Sequence, residues 1–141
     1  MQQNNNVEAR LRTMRTLWFA LLASLPMYLA FTSFAMQRGQ TTNNDWLSFV
    51  FAGVATFMVI LSFAVKKTLL RRAVETQDIK LVQPAFVVAW AMCEVSALLG
   101  VVEYVVAGTR DYIVLFLLSA VGMLLHFPTR QHLINASYKK L

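Results

Sequence analysis

The sequence has few charged residues and almost none of the residues that cross-link a chain. Charged residues make up 14% of the 141 residues and apolar residues 57%, whereas an average soluble domain has about 25% charged and about 45–50% apolar residues. A disordered chain needs the opposite balance, so that class is excluded. The only cysteine, Cys93, lies within an apolar run, which excludes a disulfide-built secreted domain.

Acidic residues are scarce as well. There are 7 Asp and Glu against 13 Lys and Arg, which leaves a net charge of +6. A basic chain can bind nucleic acid, but here the basic residues lie beside apolar runs, as they do in membrane proteins. We therefore expect a lipid bilayer as the partner and no nucleic acid. The length fits a single membrane domain, residues 1–141.

Recognisable catalytic patterns are also missing. The sequence has no nucleophilic triad, no metal-ligand cluster and no phosphate-binding glycine loop. We expect no enzyme, no metal and no cofactor. His126 could in principle hold a haem or pigment, but no second histidine lies at a matching depth to complete a bis-histidine haem site.

Four apolar segments are long enough, or nearly long enough, to cross a membrane. A spanning helix needs about 20 residues, because the hydrocarbon layer is about 30 Å thick and a helix rises about 1.5 Å per residue. The sequence predicts an all-α fold, an integral membrane four-helix bundle. The four spans are residues 17–36, 46–65, 85–107 and 112–127. Residues 66–78 contain no Gly or Pro, so we predict that span two continues as a helix into the cytoplasm.

The basic residues predict the orientation, since Lys and Arg concentrate on the cytoplasmic side. Eleven of the 13 lie in the N-terminal flank, the connection after span two and the C-terminal tail. The two opposite loops hold only Arg38 and Arg110. We predict that both termini are cytoplasmic, in a bacterial-type plasma (inner) membrane. An even number of spans also requires both termini on one side.

Four basic residues follow span two directly. They are Lys66, Lys67, Arg71 and Arg72. They could contact anionic lipid headgroups, at about 1 kcal/mol each. The simpler interpretation is that they only determine the topology.

Glu94 is the main candidate for a functional residue. It lies about 15 Å beyond Pro84, the predicted start of span three, and hence near the middle of the membrane. A carboxyl group there costs several kcal/mol unless it is paired, protonated or hydrated. We expect Glu94 either to bind a proton or monovalent cation, or to donate a hydrogen bond, in its neutral form, to a neighbouring helix.

The other spans carry polar side chains at a similar depth. Ser24 and Tyr28 share one face of span one, Thr56 is central in span two, and Ser119 is central in span four. A four-helix bundle could bring these side chains together around Glu94. Alternatively, Ser and Thr hydroxyls bond only to carbonyl groups of their own helices.

Glu103 lies nine residues after Glu94, on nearly the opposite helix face. Its position near the outer surface predicts a solvated charge at the rim. A more specific hypothesis is that Glu103 marks the outer exit of an ion. Small residues at four-residue spacing, such as Cys93 with Ala97 and Ser96 with Gly100, predict close helix packing on span three.

Residues 91–102 read A-x-x-E-x-x-A-x-x-G-V-V. This segment resembles the carboxyl-bearing helix of the c subunit, or proteolipid, of rotary ATP synthases and V-type ATPases. The resemblance implies that Glu94 carries H⁺ or Na⁺. It does not extend to assembly in a c-ring, because four-span proteolipids have their termini outside, whereas both termini are predicted inside here.

Two functions are compatible with these features. The first is a small integral membrane protein that handles protons or monovalent cations through a mid-membrane carboxylate. The second is a non-catalytic accessory or assembly subunit of a larger membrane complex. In the second case Glu94 would join helices, and the partners would be other membrane subunits or further copies of the chain.

Overall fold

The computed structural model describes residues 2–35, 45–108 and 110–137, and these residues form helices connected by short turns. The elements are α1 (Gln2–Ala35), α2 (Asp45–Thr76), a short 3-10 helix (Ile79–Leu81), α3 (Val82–Val106), α4 (Tyr112–Leu125) and α5 (Arg130–Ser137). The described residues contain no strand, so the all-α prediction is confirmed. Arg38 of the first outer loop, and Lys139 and Lys140 of the C-terminal tail, lie outside the described residues.

Within the part of the chain that the structure describes, three helical stretches are long and apolar enough to cross a membrane, which indicates an integral membrane protein. They are Val7–Phe34, Trp46–Thr76 and Ile79–Val106. The fourth predicted span is shorter than expected, because α4 ends at Leu125 and α5 is bent by 49° from it. Pro128 follows α4 closely, and proline cannot continue a helical hydrogen-bond ladder. Together α4 and α5 are apolar enough for one broken span.

Two helices extend beyond the predicted spans. α1 begins at Gln2, ahead of the span predicted from residue 17, and α2 continues to Thr76. α2 ends where Gln77 adopts a left-handed conformation, with φ of 54°. The Asp78 side chain then accepts a hydrogen bond of 2.9 Å from the backbone N–H of Lys80 and caps the 3-10 helix.

Small residues allow α3 and α4 to pack closely. A Cβ atom added at Gly122 would lie 2.9 Å from the Cys93 Sγ. One added at Gly100 would lie 3.0 Å from the backbone oxygen of Tyr112. These contacts set an antiparallel register that places Ser119 of α4 level with Ser96 of α3. The small-residue row on α3 therefore faces α4.

α1 packs against α4 and α5 at one end of the molecule. The Trp18 indole donates a buried hydrogen bond of 2.9 Å to the carbonyl of Met123. Nearer the N-terminus, Glu8 lies 3.1 Å from Arg130 of α5. The start of α1 and the helix α5 therefore lie at the same end of the molecule.

Candidate functional site

Glu94 is half-buried on α3 and contacts α1 through Ser24. The Ser24 Oγ lies 2.8 Å from the Glu94 Oε1 and 2.7 Å from the backbone oxygen of Leu21. A serine hydroxyl has one hydrogen, so Ser24 cannot donate to both acceptors at once.

Both protonation states of Glu94 fit this arrangement. A neutral carboxyl group donates to the Ser24 Oγ, and Ser24 then donates to the carbonyl of Leu21. An ionised carboxylate accepts the Ser24 hydrogen instead, and Leu21 keeps only its helical partner. The contact between α1 and α3 therefore persists in both states, while the direction of its hydrogen bond reverses.

Of the four polar side chains that the sequence allows around Glu94, the structure brings only Ser24 into contact with it among the described residues. Ser24 bonds to Glu94, and Tyr28 lies one turn further along the same face of α1, half-buried against the core. Thr56 is exposed on α2 and turned away from the helix interfaces. Ser119 is fully buried on α4, but its Oγ has no hydrogen-bond partner among the described residues.

Different faces of α3 contact different helices. Glu94 lies on the face that contacts α1, whereas the face that carries Ser96 packs against α2 and α4. On that face the Ser96 hydroxyl donates a hydrogen bond of 3.1 Å to the carbonyl of Ala55 on α2. Shared depth along the membrane therefore does not bring Ser119 or Thr56 to Glu94.

An apolar groove of about 410 Å³ runs between α1 and α3 beside this pair. Its lining residues are Met27, Tyr28, Phe31, Leu98 and Val101. Leu98 lies one turn beyond Glu94, and Tyr28 lies one turn beyond Ser24. The carboxyl and hydroxyl groups therefore stand next to one end of the groove.

Glu103 is 1% exposed, so the expectation of a solvated rim charge is wrong. It lies seven residues after Ser96, on the α3 face that packs against α2 and α4. There it lines a cavity of about 220 Å³ together with Ser48 and Asp111. The role of Glu103 as the outer exit of an ion stays a prediction. An ion that reached Glu103 would pass through this cavity.

A second polar cluster lies between α2, α3 and α4, and sequence reasoning missed it. It includes His126, near the end of the predicted fourth span, whose side chain is fully buried. Its Nδ1 lies 2.7 Å from the backbone oxygen of Gly122, and its Nε2 lies 3.2 Å from the Ser62 Oγ. The Cys93 Sγ lies 3.6 Å from the same Ser62 oxygen.

Trp90 completes the surroundings of His126, because its indole donates a hydrogen bond of 3.1 Å to the His126 carbonyl. A sequence signal for this cluster was present in the heptad spacing of buried small or polar residues. On α3 the spacing is seen in Cys93, Ser96, Gly100 and Glu103, and on α4 with its C-cap in Ser119, Gly122 and His126. Such spacing marks the side of a helix that faces its neighbours.

Lys66 differs from the other three residues of the predicted lipid-contact group. Its Nζ lies 5.4 Å from the ring centre of Phe63 and 5.5 Å from that of Phe86, which are cation–π distances. The aromatic rings therefore hold this ammonium group against the protein. Lys67 and Arg72 are exposed, and Arg71 is exposed while pairing with Glu75 at 3.3 Å.

Comparisons with protein-family models, curated proteins and solved structures give no match to this chain. The described residues contain no group of three or more His, Cys, Asp or Glu side chains that could hold a metal ion.

Proposed function

We propose that this protein is a four-helix membrane protein with both termini in the cytoplasm of a bacterial-type plasma membrane. α1, α2 and α3 provide three spans, and α4 with α5 provides a broken fourth. The contact between Glu8 and Arg130 supports termini on one side. Arg15, which stacks over the Phe127 ring at 5.5 Å, places further basic charge at the same end. Positive charge at that end supports a cytoplasmic orientation.

Within this membrane domain, Glu94 takes up and releases a proton or a monovalent cation. The observation that carries this proposal is the Ser24 hydroxyl, which stands between the Glu94 carboxyl group and the Leu21 carbonyl. Because this hydroxyl can donate to either acceptor, a proton can bind or leave without separating α1 from α3. Glu94 is half-buried, so part of its surface lies outside the contact with α1.

The resemblance of residues 91–102 to the carboxyl-bearing helix of rotary ATPase c subunits points to the same residue. That likeness concerns a short sequence motif, whereas the Ser24 contact is independent structural support for a role of Glu94. Membrane carboxyl groups that face a protein interface rather than lipid are commonly functional.

The test is proton flux into proteoliposomes that contain an internal pH-sensitive dye. Glu94→Gln keeps the size and the hydrogen-bonding capacity of the side chain but removes the titratable group. We expect this variant to lose pH-driven flux. Glu75→Gln, on the exposed part of α2, is the matched control and should retain it. Equal flux in Glu94→Gln and the unmodified protein would contradict the proposal.

Ser24→Ala tests the hydroxyl directly. Without this hydroxyl the neutral carboxyl group loses its acceptor on α1, so we expect flux to fall by an intermediate factor. Ser33→Ala is the matched control, because Ser33 is exposed and its hydroxyl donates only to the carbonyl of Leu29 in its own helix. A fall of the same size in both variants would indicate a general loss of α1 structure instead.

The alternative function is a non-catalytic accessory or assembly subunit, and one observation favours it. The Ser24–Glu94 bond joins two different helices, as expected of a neutral carboxyl group that stabilises a bundle. In that case Glu94→Gln would leave any flux unchanged, whereas Glu94→Leu would weaken the attachment of α1 or of a partner subunit. Sizing of detergent-solubilised complexes would reveal that loss.

A further inference from the structure

The cluster around His126 repeats the arrangement found at Glu94. The Ser62 Oγ lies 2.6 Å from the carbonyl of Val59 in its own helix and 3.2 Å from the His126 Nε2. Ser24 likewise stands between a carbonyl group three residues earlier and Glu94 on another helix. In both places a single hydroxyl hydrogen is shared between a backbone carbonyl and a titratable side chain.

The protonation of His126 Nδ1 follows from its partner. The Gly122 carbonyl can only accept, and it lies 2.7 Å away, so Nδ1 carries a hydrogen. In the neutral ring Nε2 is then an acceptor, and Ser62 donates to it. In the charged ring Nε2–H donates to the Ser62 Oγ, and the Ser62 hydrogen turns to the Val59 carbonyl.

We propose that His126 and Ser62 form a second proton-binding site, separate from Glu94 and built between α2 and α4. A hydronium ion supplies the proton: one of its O–H bonds breaks, the Nε2–H bond forms and a water molecule is released. Within the protein only the Ser62 hydroxyl reorients, from Nε2 to the Val59 carbonyl. The Cys93 thiol at 3.6 Å can donate to the Ser62 oxygen in both states. Every polar group of the site therefore has a partner with and without the proton.

Charged and titratable groups surround this site on several elements. Lys66 of α2 contributes a positive charge to these surroundings, since it stacks on Phe63, whose ring centre lies 4.2 Å from that of His126. Cys93 is contributed by α3. From α5, His132 stacks on Phe86 at 5.2 Å.

From α1, Arg15 stacks on Phe127, which follows His126 directly. Lys66 is positive, so it opposes the charged imidazole. The Ser62 and Gly122 oxygens favour it. The charged ring would donate to both oxygens, while the positive charge of Lys66 acts against it.

The experiment is nitrogen NMR of ¹⁵N-histidine-labelled protein in lipid nanodiscs, followed from about pH 5 to about pH 9, the range in which histidine charge changes. His132→Gln leaves His126 as the only histidine and makes its signals unambiguous. We expect the Nδ1–H tautomer at high pH and protonation of both ring nitrogens at low pH. A single protonation state across this range, or an Nε2–H tautomer at high pH, would overturn the proposal.

Ser62→Ala provides the specific check on the hydroxyl. We expect the Nε2 signal of the neutral ring to shift, because it loses its donor, while the Nδ1 signal stays in place. Ser33→Ala should shift neither signal. An unchanged Nε2 signal in Ser62→Ala would contradict a role for Ser62. If that variant fails to fold, the His132→Gln titration still decides whether His126 binds a proton.

The outcome is independent of the proposed role of Glu94. The Glu94→Gln variant should keep the His126 titration, since Glu94 contacts α1 on another side of α3. If Glu94→Gln loses proton flux while His126 still titrates, the two sites bind protons independently. A His126 signal that no longer titrates in Glu94→Gln would show that the two positions are not separate sites and would overturn this part of the inference.

Discussion

Cys93 and Glu94 are consecutive residues of α3 that contact different helices. The Cys93 Sγ lies 3.6 Å from the Ser62 Oγ of α2, whereas the Glu94 Oε1 lies 2.8 Å from the Ser24 Oγ of α1. Adjacent helical residues differ by about 100° in direction, which accounts for the separation. α3 thus contributes a residue to each of two polar clusters. Each cluster contains one serine whose hydroxyl can donate either to a backbone carbonyl or to a titratable side chain.

Gly122→Ala tests the close approach of α3 and α4. The new Cβ would lie 2.9 Å from the Cys93 Sγ and 3.2 Å from the Val59 Cγ1, so these side chains or the helices that carry them must shift. We expect the free energy of unfolding to fall by about 1–3 kcal/mol, measured by circular dichroism during denaturation in mixed micelles. Gly53→Ala is the control, because nothing lies within 4 Å of its added Cβ.

The double variant Gly122→Ala with Cys93→Ala extends this test. Removal of the sulfur relieves the shortest contact of the new Cβ. Gly122→Ala should therefore lower the free energy of unfolding less in the Cys93→Ala background. Equal costs in both backgrounds would mean that Cys93 does not limit the packing at this point.

Trp18→Phe removes a buried donor between α1 and α4. The indole bond to the Met123 carbonyl is lost, and we expect unfolding to become easier by about 0.5–1.5 kcal/mol, with a further cost from the smaller ring. Trp46→Phe is the control, since Trp46 is 72% exposed. Similar losses in both variants would argue against a specific attachment of α1 through Trp18.

The orientation can be tested by labelling single cysteines from one side of the membrane. In a Cys93→Ala background, Glu75→Cys should react with an impermeant maleimide only after the cells are permeabilised, which gives the reagent access to the cytoplasmic side. Arg110→Cys should react in intact cells, because it follows α3 at the other end of the molecule. Both positions are exposed in the structure. The reverse labelling pattern would contradict cytoplasmic termini.

Neighbouring lysines should differ in their effect on lipid binding. Lys67→Gln removes an exposed charge and should weaken the retention of anionic lipid by about 1 kcal/mol. Lys66→Gln should change lipid retention less, but it should lower stability through loss of the contacts with Phe63 and Phe86. Native mass spectrometry can count the retained lipids. A larger lipid loss from Lys66→Gln would contradict this assignment.

The predictions about the spans succeeded where apolar length alone decides the outcome. The membrane-length helices containing Trp46 and Glu94 were predicted because hydrocarbon requires a long apolar helix. The fourth span was less well predicted. Its apolar run reaches residue 127, but the helix ends at Leu125 and the chain turns before Pro128.

The candidate site was predicted only in part, because depth along a helix axis says nothing about which neighbour a face meets. Glu94 was identified from its cost in the membrane, and Ser24 from its matching depth. Thr56 has a similar depth but is exposed, and Glu103 was expected at the rim but is buried. In both cases the outcome depends on the direction in which the side chain points around the helix axis, which depth along that axis does not determine.

The low charge and long apolar runs, by themselves, determined that this chain forms membrane-length helices and that a carboxyl group lies within one of them. Burial of apolar surface and satisfaction of backbone hydrogen bonds are local requirements, so composition and length are enough to predict them. Only the tertiary structure decided that Glu94 meets Ser24 while His126 meets Ser62. Those pairings depend on how helices far apart in sequence rotate and pack, which close contacts such as that between Gly122 and Cys93 determine.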